Sequence, residues 1–187
     1  GARRRARALD VGPYCQGSRS AVFFLMIRPP PGSTLFPYTT LCRSGFGFEP
    51  DFVWTKGLST RQHLLFDTIR GNGAYLLSTA TNSEATDTNT LTTFDSDGFT
   101  IGSNQNINTN GEGFVAWGWD AGSGSPVSNT DGTITSTVKA NPATGFSVVS
   151  YTGVGSTETA GHGLSSAPEL YIIKRRDTTA AWNVYTT

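Results

Sequence analysis

The absence of sustained helical periodicity across residues 45–187 most constrains the fold. Short apolar or alternating runs dominate this stretch, and turn-forming pairs such as Asp97-Gly98 and Asn110-Gly111 separate them. One short helical candidate, 60–66, lacks a capping pattern. The pattern predicts an all-β fold, an antiparallel β-sandwich of jelly-roll-like form. The clearest predicted strands are 51–56, 74–77, 98–101, 113–119, 133–138, 146–151 and 170–174.

Residues 23–44 resemble a translated sequencing adapter. The adapter reads MIRRPPRSTLFPYTTLFRS, and the last 19 of these residues match it at 16 positions. The three departures, Pro29, Gly32 and Cys42, each require one base change. We therefore expect residues 1–44 to be artefactual and to form no domain. We also expect them to be disordered or poorly packed, because such a sequence has no evolved partner surface.

Charge and cysteine content narrow the functions open to residues 45–187. This stretch of 187 − 44 = 143 residues suffices for one domain. It holds 14 − 7 = 7 basic and 14 − 1 = 13 acidic residues, a net charge of −6. Such a surface repels phosphate backbones, so no nucleic-acid partner is expected. Both cysteines, Cys15 and Cys42, precede the domain, which excludes a disulfide, a thiolate metal site and a cysteine nucleophile within it.

The N-terminal segment imitates a secretory signal. The basic run Arg3-Arg4-Arg5 precedes the apolar residues 21–27, which lead into Arg28 and three prolines instead of a small-residue cleavage site. Seven apolar residues are also far fewer than the roughly 20 that span a bilayer. We expect no membrane partner.

Two segments of the chain share one pattern. Residues 45–56 read GFGFEPDFVWTK, and residues 161–174 read GHGLSSAPELYIIK. Both start with Gly-x-Gly and an apolar residue, continue through proline and an acid, and reach Lys56 or Lys174, which are 174 − 56 = 118 residues apart. This self-similarity predicts a tandem array whose second copy starts within about 145–187. Convergent starts of two unrelated strands are the alternative.

Five motifs follow one another along this stretch: PDFVW from residue 50, LFDTIRG from 65, FDSDGFTIG from 94, FVAW from 114 and GFSVVSYTG from 145. Together they resemble an uncharacterised, often repeated domain of tail-fibre and other virion proteins of tailed, especially marine, bacteriophages. The resemblance covers residues 45–185. It implies a non-enzymatic structural or host-recognition module in the virion tail, outside the cell, with a host-surface glycan as partner.

By analogy with such fibres, a homotrimer with other fibre chains is a further expected partnership. A carbohydrate-binding module attached to a secreted bacterial hydrolase is the alternative function. A glycan-cleaving enzyme is a third hypothesis. The resemblance implies no catalytic residue and no cofactor.

Trp119 and Asp120 are the candidate ligand-binding residues. An exposed indole beside a carboxylate can stack on a sugar ring while the acid accepts hydrogen bonds from hydroxyls. Strand alternation places Trp117 and Trp119 on one face. Packing in the core is the alternative for Trp119, and we expect it for Trp117, Trp54 and Phe52.

Other chemistry has a simpler structural interpretation, and no catalytic or metal residue is predicted. His162 is followed by Ser165 and Ser166, but no strand–elbow–helix motif surrounds them. Asp95 and Asp97 could serve as a glycosidase pair, yet their context is that of a hairpin turn. The asparagines that follow could offer oxygen ligands to calcium, although Asx-turns explain them more simply. They are Asn104, Asn106, Asn108 and Asn110.

Overall fold

The computed structural model describes residues 25–27 and 41–186, with side chains from residue 45 to residue 186. This part of the chain is built from strands and contains no helix, which confirms the predicted all-β class. The strands are β1 (Leu25–Ile27), β2 (Leu41–Ser44), β3 (Phe52–Gly57), β4 (His63–Asp67), β5 (Ala74–Leu77), β6 (Ala85–Thr86), β7 (Leu91–Asp95), β8 (Gly98–Ile101), β9 (Phe114–Trp119), β10 (Val127–Asn129), β11 (Ser136–Asn141), β12 (Phe146–Tyr151), β13 (Leu170–Lys174) and β14 (Trp182–Thr186).

Antiparallel hydrogen bonding groups these strands into four sheets. The large sheet has the order β1-β9-β3-β4-β5-β6, and a second sheet has the order β2-β8-β7. A third sheet, β10-β11-β12, and the two-stranded hairpin β13–β14 complete the described part. The strand β3 lies inside the large sheet because β4 pairs with one of its edges and β9 with the other.

The core lies between the large sheet and the second sheet. Apolar side chains from one face of each sheet form a single buried cluster, as in a β-sandwich. Burying each such side chain contributes about 1.5–3 kcal/mol to the free energy of unfolding. The cluster consists of Val53, Leu64 and Phe66 from the large sheet, Leu91, Phe99 and Ile101 from the second, and Ile107 from the following loop.

The short helical candidate at 60–66 contributes to strand β4 instead. Leu64, Leu65 and Phe66 are all buried in that strand. A strand that is covered on both faces has a continuous apolar run and lacks the alternation that marks a half-exposed strand. The run therefore carries no periodicity that distinguishes strand from helix.

The structure differs in two places from the expectation that residues 1–44 lie unpacked. Strand β1 pairs with β9, and β2 pairs with β8. The edge of a sheet presents backbone N–H and C=O groups that an extended segment can pair with whatever its side chains. Other parts of this segment, including Arg3-Arg4-Arg5 and Cys15, lie outside the described residues, and its origin in an adapter stays a prediction.

Asp51, immediately before β3, joins three parts of the fold. Its buried carboxylate accepts hydrogen bonds from Ala121 N at 2.8 Å and from Thr68 Oγ1 at 3.0 Å. Its Oδ1 also lies 2.5 Å from Nζ of Lys139 on β11. The third sheet is therefore fixed against the large sheet by a buried ion pair.

The turn of the β13–β14 hairpin contacts the loop between β5 and β6. The indole Nε1 of Trp182 donates to the carbonyl oxygens of Leu77 and Ala80, both at 3.0 Å. Ala180 N donates to Thr81 O, also at 3.0 Å. Hydrogen bonds to backbone carbonyl oxygens therefore hold the hairpin at this edge of the large sheet.

An ion-pair chain reinforces the same contact. Glu84 lies 2.8 Å from Nε of Arg176 and 3.3 Å from Nη1 of Arg70, which also pairs with Asp67. Burial alone would raise the pKa of Glu84, but the hydrogen bonds and charges of Arg176 and Arg70 outweigh it. The pKa of Glu84 consequently lies below its ordinary value.

We predict that Asp51→Ala lowers the free energy of unfolding by about 3–5 kcal/mol, because it leaves the charge of Lys139 buried without its partner. Urea unfolding measures the loss. The matched control is Asp177→Ala, which removes an exposed carboxylate paired with Arg175 and is expected to change stability negligibly. Similar losses for the two variants would contradict the role assigned to Asp51.

We predict that Glu84→Gln makes stability less sensitive to acid. A carboxylate whose pKa is lowered on folding stabilises the protein above its unfolded pKa of about 4.5, and this contribution is lost as the pH falls through the folded pKa. Urea unfolding at several pH values between 3 and 7 gives the free energy of unfolding. Its dependence on pH should be weaker for Glu84→Gln than for the original chain. The control is Glu169→Gln, at an exposed position. Identical slopes for the variant and the original chain would refute the linkage.

Candidate functional site

Four aromatic side chains lie on the face of the large sheet that points away from the core. Val53 on β3 points into the core, so its neighbours Phe52 and Trp54 point the opposite way. Trp54 pairs with Trp117 across the ladder and Phe52 with Trp119, with ring centroids 5.8 and 5.3 Å apart. We call these four residues the aromatic row, and all of them are half-buried.

This position differs from the expectation that Phe52, Trp54 and Trp117 pack in the core. The core cluster lies against the other face of β3 and β9, and these three side chains are not part of it. Both faces of β3 carry apolar residues, so strand alternation could show which side chains share a face. It could not show which face is covered by the second sheet.

The aromatic row runs from a covered end to the edge of the sheet. Leu65 and Leu76 continue the line of Trp54 across β4 and β5 and are both buried. The indole N–H of Trp54 is also buried and finds no acceptor among the described residues. Trp117 and Trp119 lie at the other end, on β9, beyond the three residues of β9 that pair with β1. The β9 end of the row therefore lies at an edge of the large sheet that no described strand pairs with.

Trp119 and Asp120 both contact other parts of the protein. The ring of Trp119 stacks on Phe146 of β12, with centroids 6.0 Å apart and planes at 23°. Asp120 accepts hydrogen bonds from Gly122 N at 2.6 Å and from Asn141 Nδ2 at 3.0 Å. Each carboxylate oxygen keeps a further lone pair for a ligand hydroxyl. Their role in ligand binding stays a prediction.

Asp95 and Asp97 form the turn of the β7–β8 hairpin, which confirms the structural interpretation of this pair. Asp95 pairs with Gly98 across the ladder and accepts a hydrogen bond from Thr100 Oγ1 at 2.7 Å. The carboxylate of Asp97 accepts hydrogen bonds from the amides of Gly45 and Gly47. Both side chains therefore hold the chain in place around this turn.

His162 lines a surface depression of about 340 Å³ together with Asp131 and Leu164. Its Nδ1 accepts a hydrogen bond from Leu164 N at 3.1 Å, so the neutral ring carries its proton on Nε2. The hydrogen bonds of the described residues include none between His162 and the serines at 165 and 166. The arrangement resembles a local turn contact more than a nucleophile with its base.

The asparagine run satisfies local polar groups, as the Asx-turn interpretation predicts. Asn104 Oδ1 accepts from Asn106 N, and Asn104 Nδ2 donates to Asp87, both at 2.8 Å. The backbone N–H of Asn89 and the amide of Asn104 hold the pKa of Asp87 below its ordinary value. Within residues 45–186, no three histidine, cysteine, aspartate or glutamate side chains are grouped closely enough to hold a metal ion.

The fold and the aromatic row together define an all-β sandwich domain with a half-exposed aromatic face. Residues 38–187 match the family described as "Domain of unknown function (DUF7483)", and the chain belongs to that family. The match includes residues 38–44, which the sequence assigned to the adapter. No curated protein and no solved structure matches the chain.

The family assignment confirms the resemblance to an uncharacterised β-rich domain, while the phage context stays a prediction. In the part of the chain that the structure describes, no helix is long and apolar enough to cross a membrane.

We predict that Trp119→Ala lowers the free energy of unfolding by about 1–3 kcal/mol, because it removes ring contacts with Phe52 and Phe146. Urea unfolding of the variant measures the loss. The control is Tyr151→Ala, which truncates an aromatic ring on β12 that is 46% exposed and should change stability little. An unchanged midpoint for Trp119→Ala would show that its packing contributes nothing and would leave ligand contact as its role.

Proposed function

We propose that this domain is a non-enzymatic module of a phage tail fibre or related virion protein that takes part in host recognition by binding surface glycans. The observation that carries the proposal is the pair Trp117 and Trp119, side by side at the edge of the large sheet and half-exposed. The ordered motifs shared with virion proteins support the context of a tail fibre.

The chemistry of the aromatic row suits a sugar ring. The apolar face of a pyranose can stack on an indole, while its hydroxyl groups need acceptors at the rim. Asp120 follows Trp119 directly and keeps free lone pairs on both carboxylate oxygens. The ring of Trp119 already stacks on Phe146, so the sugar would stack on Trp117 and contact Trp119 beside it, with the carboxylate of Asp120 as the nearby hydrogen-bond acceptor.

The charge of the domain narrows the class of glycan. Residues 45–187 carry a net charge of −6. A surface with this charge repels sulfated and phosphorylated polymers at low ionic strength. We therefore expect a neutral polysaccharide to bind in preference to a polyanionic one.

A carbohydrate-binding module of a secreted bacterial hydrolase is the second candidate. The same aromatic row supports it, because a carbohydrate-binding module also has to stack a sugar ring and accept hydrogen bonds from its hydroxyl groups. The neighbourhood of the gene separates the two candidates. Baseplate or capsid genes nearby would favour the virion module, and a hydrolase domain in the same reading frame would favour the alternative.

We predict that the chain is retarded in gels containing neutral polysaccharides (dextran, mannan or chitin derivatives) and that Trp117→Ala weakens this binding about 5–10-fold. That loss corresponds to one stacked aromatic contact of about 1–1.4 kcal/mol. Among the described residues, Trp117 has one ring contact, with Trp54, whereas Trp119 has two. The variant Trp117→Ala therefore loses little packing and should stay folded. Affinity electrophoresis measures the change.

Two controls accompany this measurement. Tyr151→Ala removes an exposed ring from another strand and should leave retardation unchanged. In the second control, heparin replaces the neutral polymer. Because heparin is polyanionic, it should retard the chain less than a neutral polysaccharide does. Equal loss of binding in Trp117→Ala and Tyr151→Ala, or no retardation by any neutral polymer, would count against a glycan site on the aromatic row.

A further inference from the structure

The hairpin β13–β14 exposes apolar side chains on both of its faces. Strand β13 pairs with β14 along one edge, and no described strand pairs with its other edge. An exposed apolar surface with an open strand edge indicates a contact with another element. The exposed side chains are Leu170, Tyr171, Ile172, Ile173, Val184 and Tyr185, at 36–58% exposure.

The strands of this hairpin pair in the same register as β3 and β4, over five residue pairs in each case. In the first hairpin the pairing runs from Phe52 opposite Asp67 to Lys56 opposite His63. In the second it runs from Leu170 opposite Thr186 to Lys174 opposite Trp182. Adding 118 to each residue number of β3 and 119 to each of β4 converts one ladder into the other. The extra residue falls in the turn.

The surroundings of the two hairpins are very different. The free edge of β3 takes strand β9, and the face with Val53, Leu64 and Phe66 is covered by the second sheet. The equivalent positions in the later hairpin are Tyr171, Asn183 and Tyr185, and all three are exposed. The later hairpin therefore has the pairing of a core hairpin without the elements that cover one.

We propose that hairpin β13–β14 is the docking surface for a second copy of the segment that covers β3–β4, in the same polypeptide. The copy's equivalent of β9 would pair along the free edge of β13. The register of β3 with β9 then places the equivalent of Trp119 opposite Leu170 and that of Trp117 opposite Ile172. The face with Tyr171, Ile173 and Tyr185 becomes the core of this second sandwich.

The turn of the hairpin fixes the second sandwich relative to the first. Trp182 is hydrogen-bonded to the loop after β5, and Arg176 pairs with Glu84. Arg176 Nη1 also donates to Ser150 Oγ of β12 at 2.9 Å. Because both strands of the hairpin meet at this anchored turn, the second sandwich has one orientation with respect to the first. The proposal does not depend on glycan binding.

The experiment extends the full chain after Thr187 with a second copy of residues 69–151. Thr187 is the counterpart of Thr68, 119 residues later, so the copy continues in register. Amide hydrogen exchange of Leu170–Lys174 is measured in the extended and the original chain. We expect exchange to slow at least about 100-fold in the extended chain, since the edge amides of β13 become paired.

The matched control carries Val115→Pro in the appended copy only. Leu58 N donates to Gly113 O, so alternate residues from Gly113 onward, including Val115, face β3, and this proline removes a ladder hydrogen bond from the copy's β9 to β13. It should restore the fast exchange of the original chain. Unprotected hairpin amides in the extended chain, whether or not the copy folds elsewhere, would overturn the proposal. Protection that survives the proline would overturn the register. Concentration-dependent protection in the original chain would assign the surface to a second molecule and also overturn it.

Discussion

The buried carboxylate of Asp51 fixes the third sheet of this domain against the large sheet. It stands where β3 begins, accepts a hydrogen bond from Ala121 just after β9, and pairs with Lys139 in the third sheet. The backbone N–H of Asp51 also donates to Trp119 O at 2.8 Å. A buried ion pair contributes little net stability when desolvation is counted, but it specifies one arrangement of the groups that surround it. This side chain therefore ties the segment just after β9, next to Trp119 of the aromatic row, to the start of β3 and to the third sheet.

The aromatic row shows how a strand with two apolar faces is used. One face of β3 supplies the core, and the other carries Phe52 and Trp54 toward the third sheet. Phe146 of that sheet covers part of the row by contacting Phe52 and Trp119. The pair Phe52 and Trp119 is thus packed against the third sheet, so the row contributes to stability as well as to the surface of the sheet.

Each of the seven predicted strands overlaps a strand of the structure, because turn residues bound these short apolar runs. The strand predicted at 133–138 is displaced, since β11 spans Ser136–Asn141. The sequence did not predict β4, whose continuous apolar run has no period, or β7 (Leu91–Asp95), which begins in a threonine-rich stretch that resembles a loop. Trp119 and Asp120 were chosen as candidates because they are adjacent in the chain, and their role in binding stays a prediction. Their contacts with Phe146 and Asn141 could not be predicted, since pairing between distant strands depends on the whole sheet.

The contact between the β13–β14 turn and the large sheet uses main-chain acceptors on the sheet side. Trp182 and Ala180 donate to the carbonyl oxygens of Leu77, Ala80 and Thr81. A carbonyl oxygen is present whatever side chain its residue carries. Apart from Glu84, whose side chain pairs with Arg176, the loop after β5 can therefore accumulate substitutions during evolution without losing these bonds, provided that its backbone path is kept. Divergence of sequence in this loop is compatible with an unchanged geometry between neighbouring parts of the molecule.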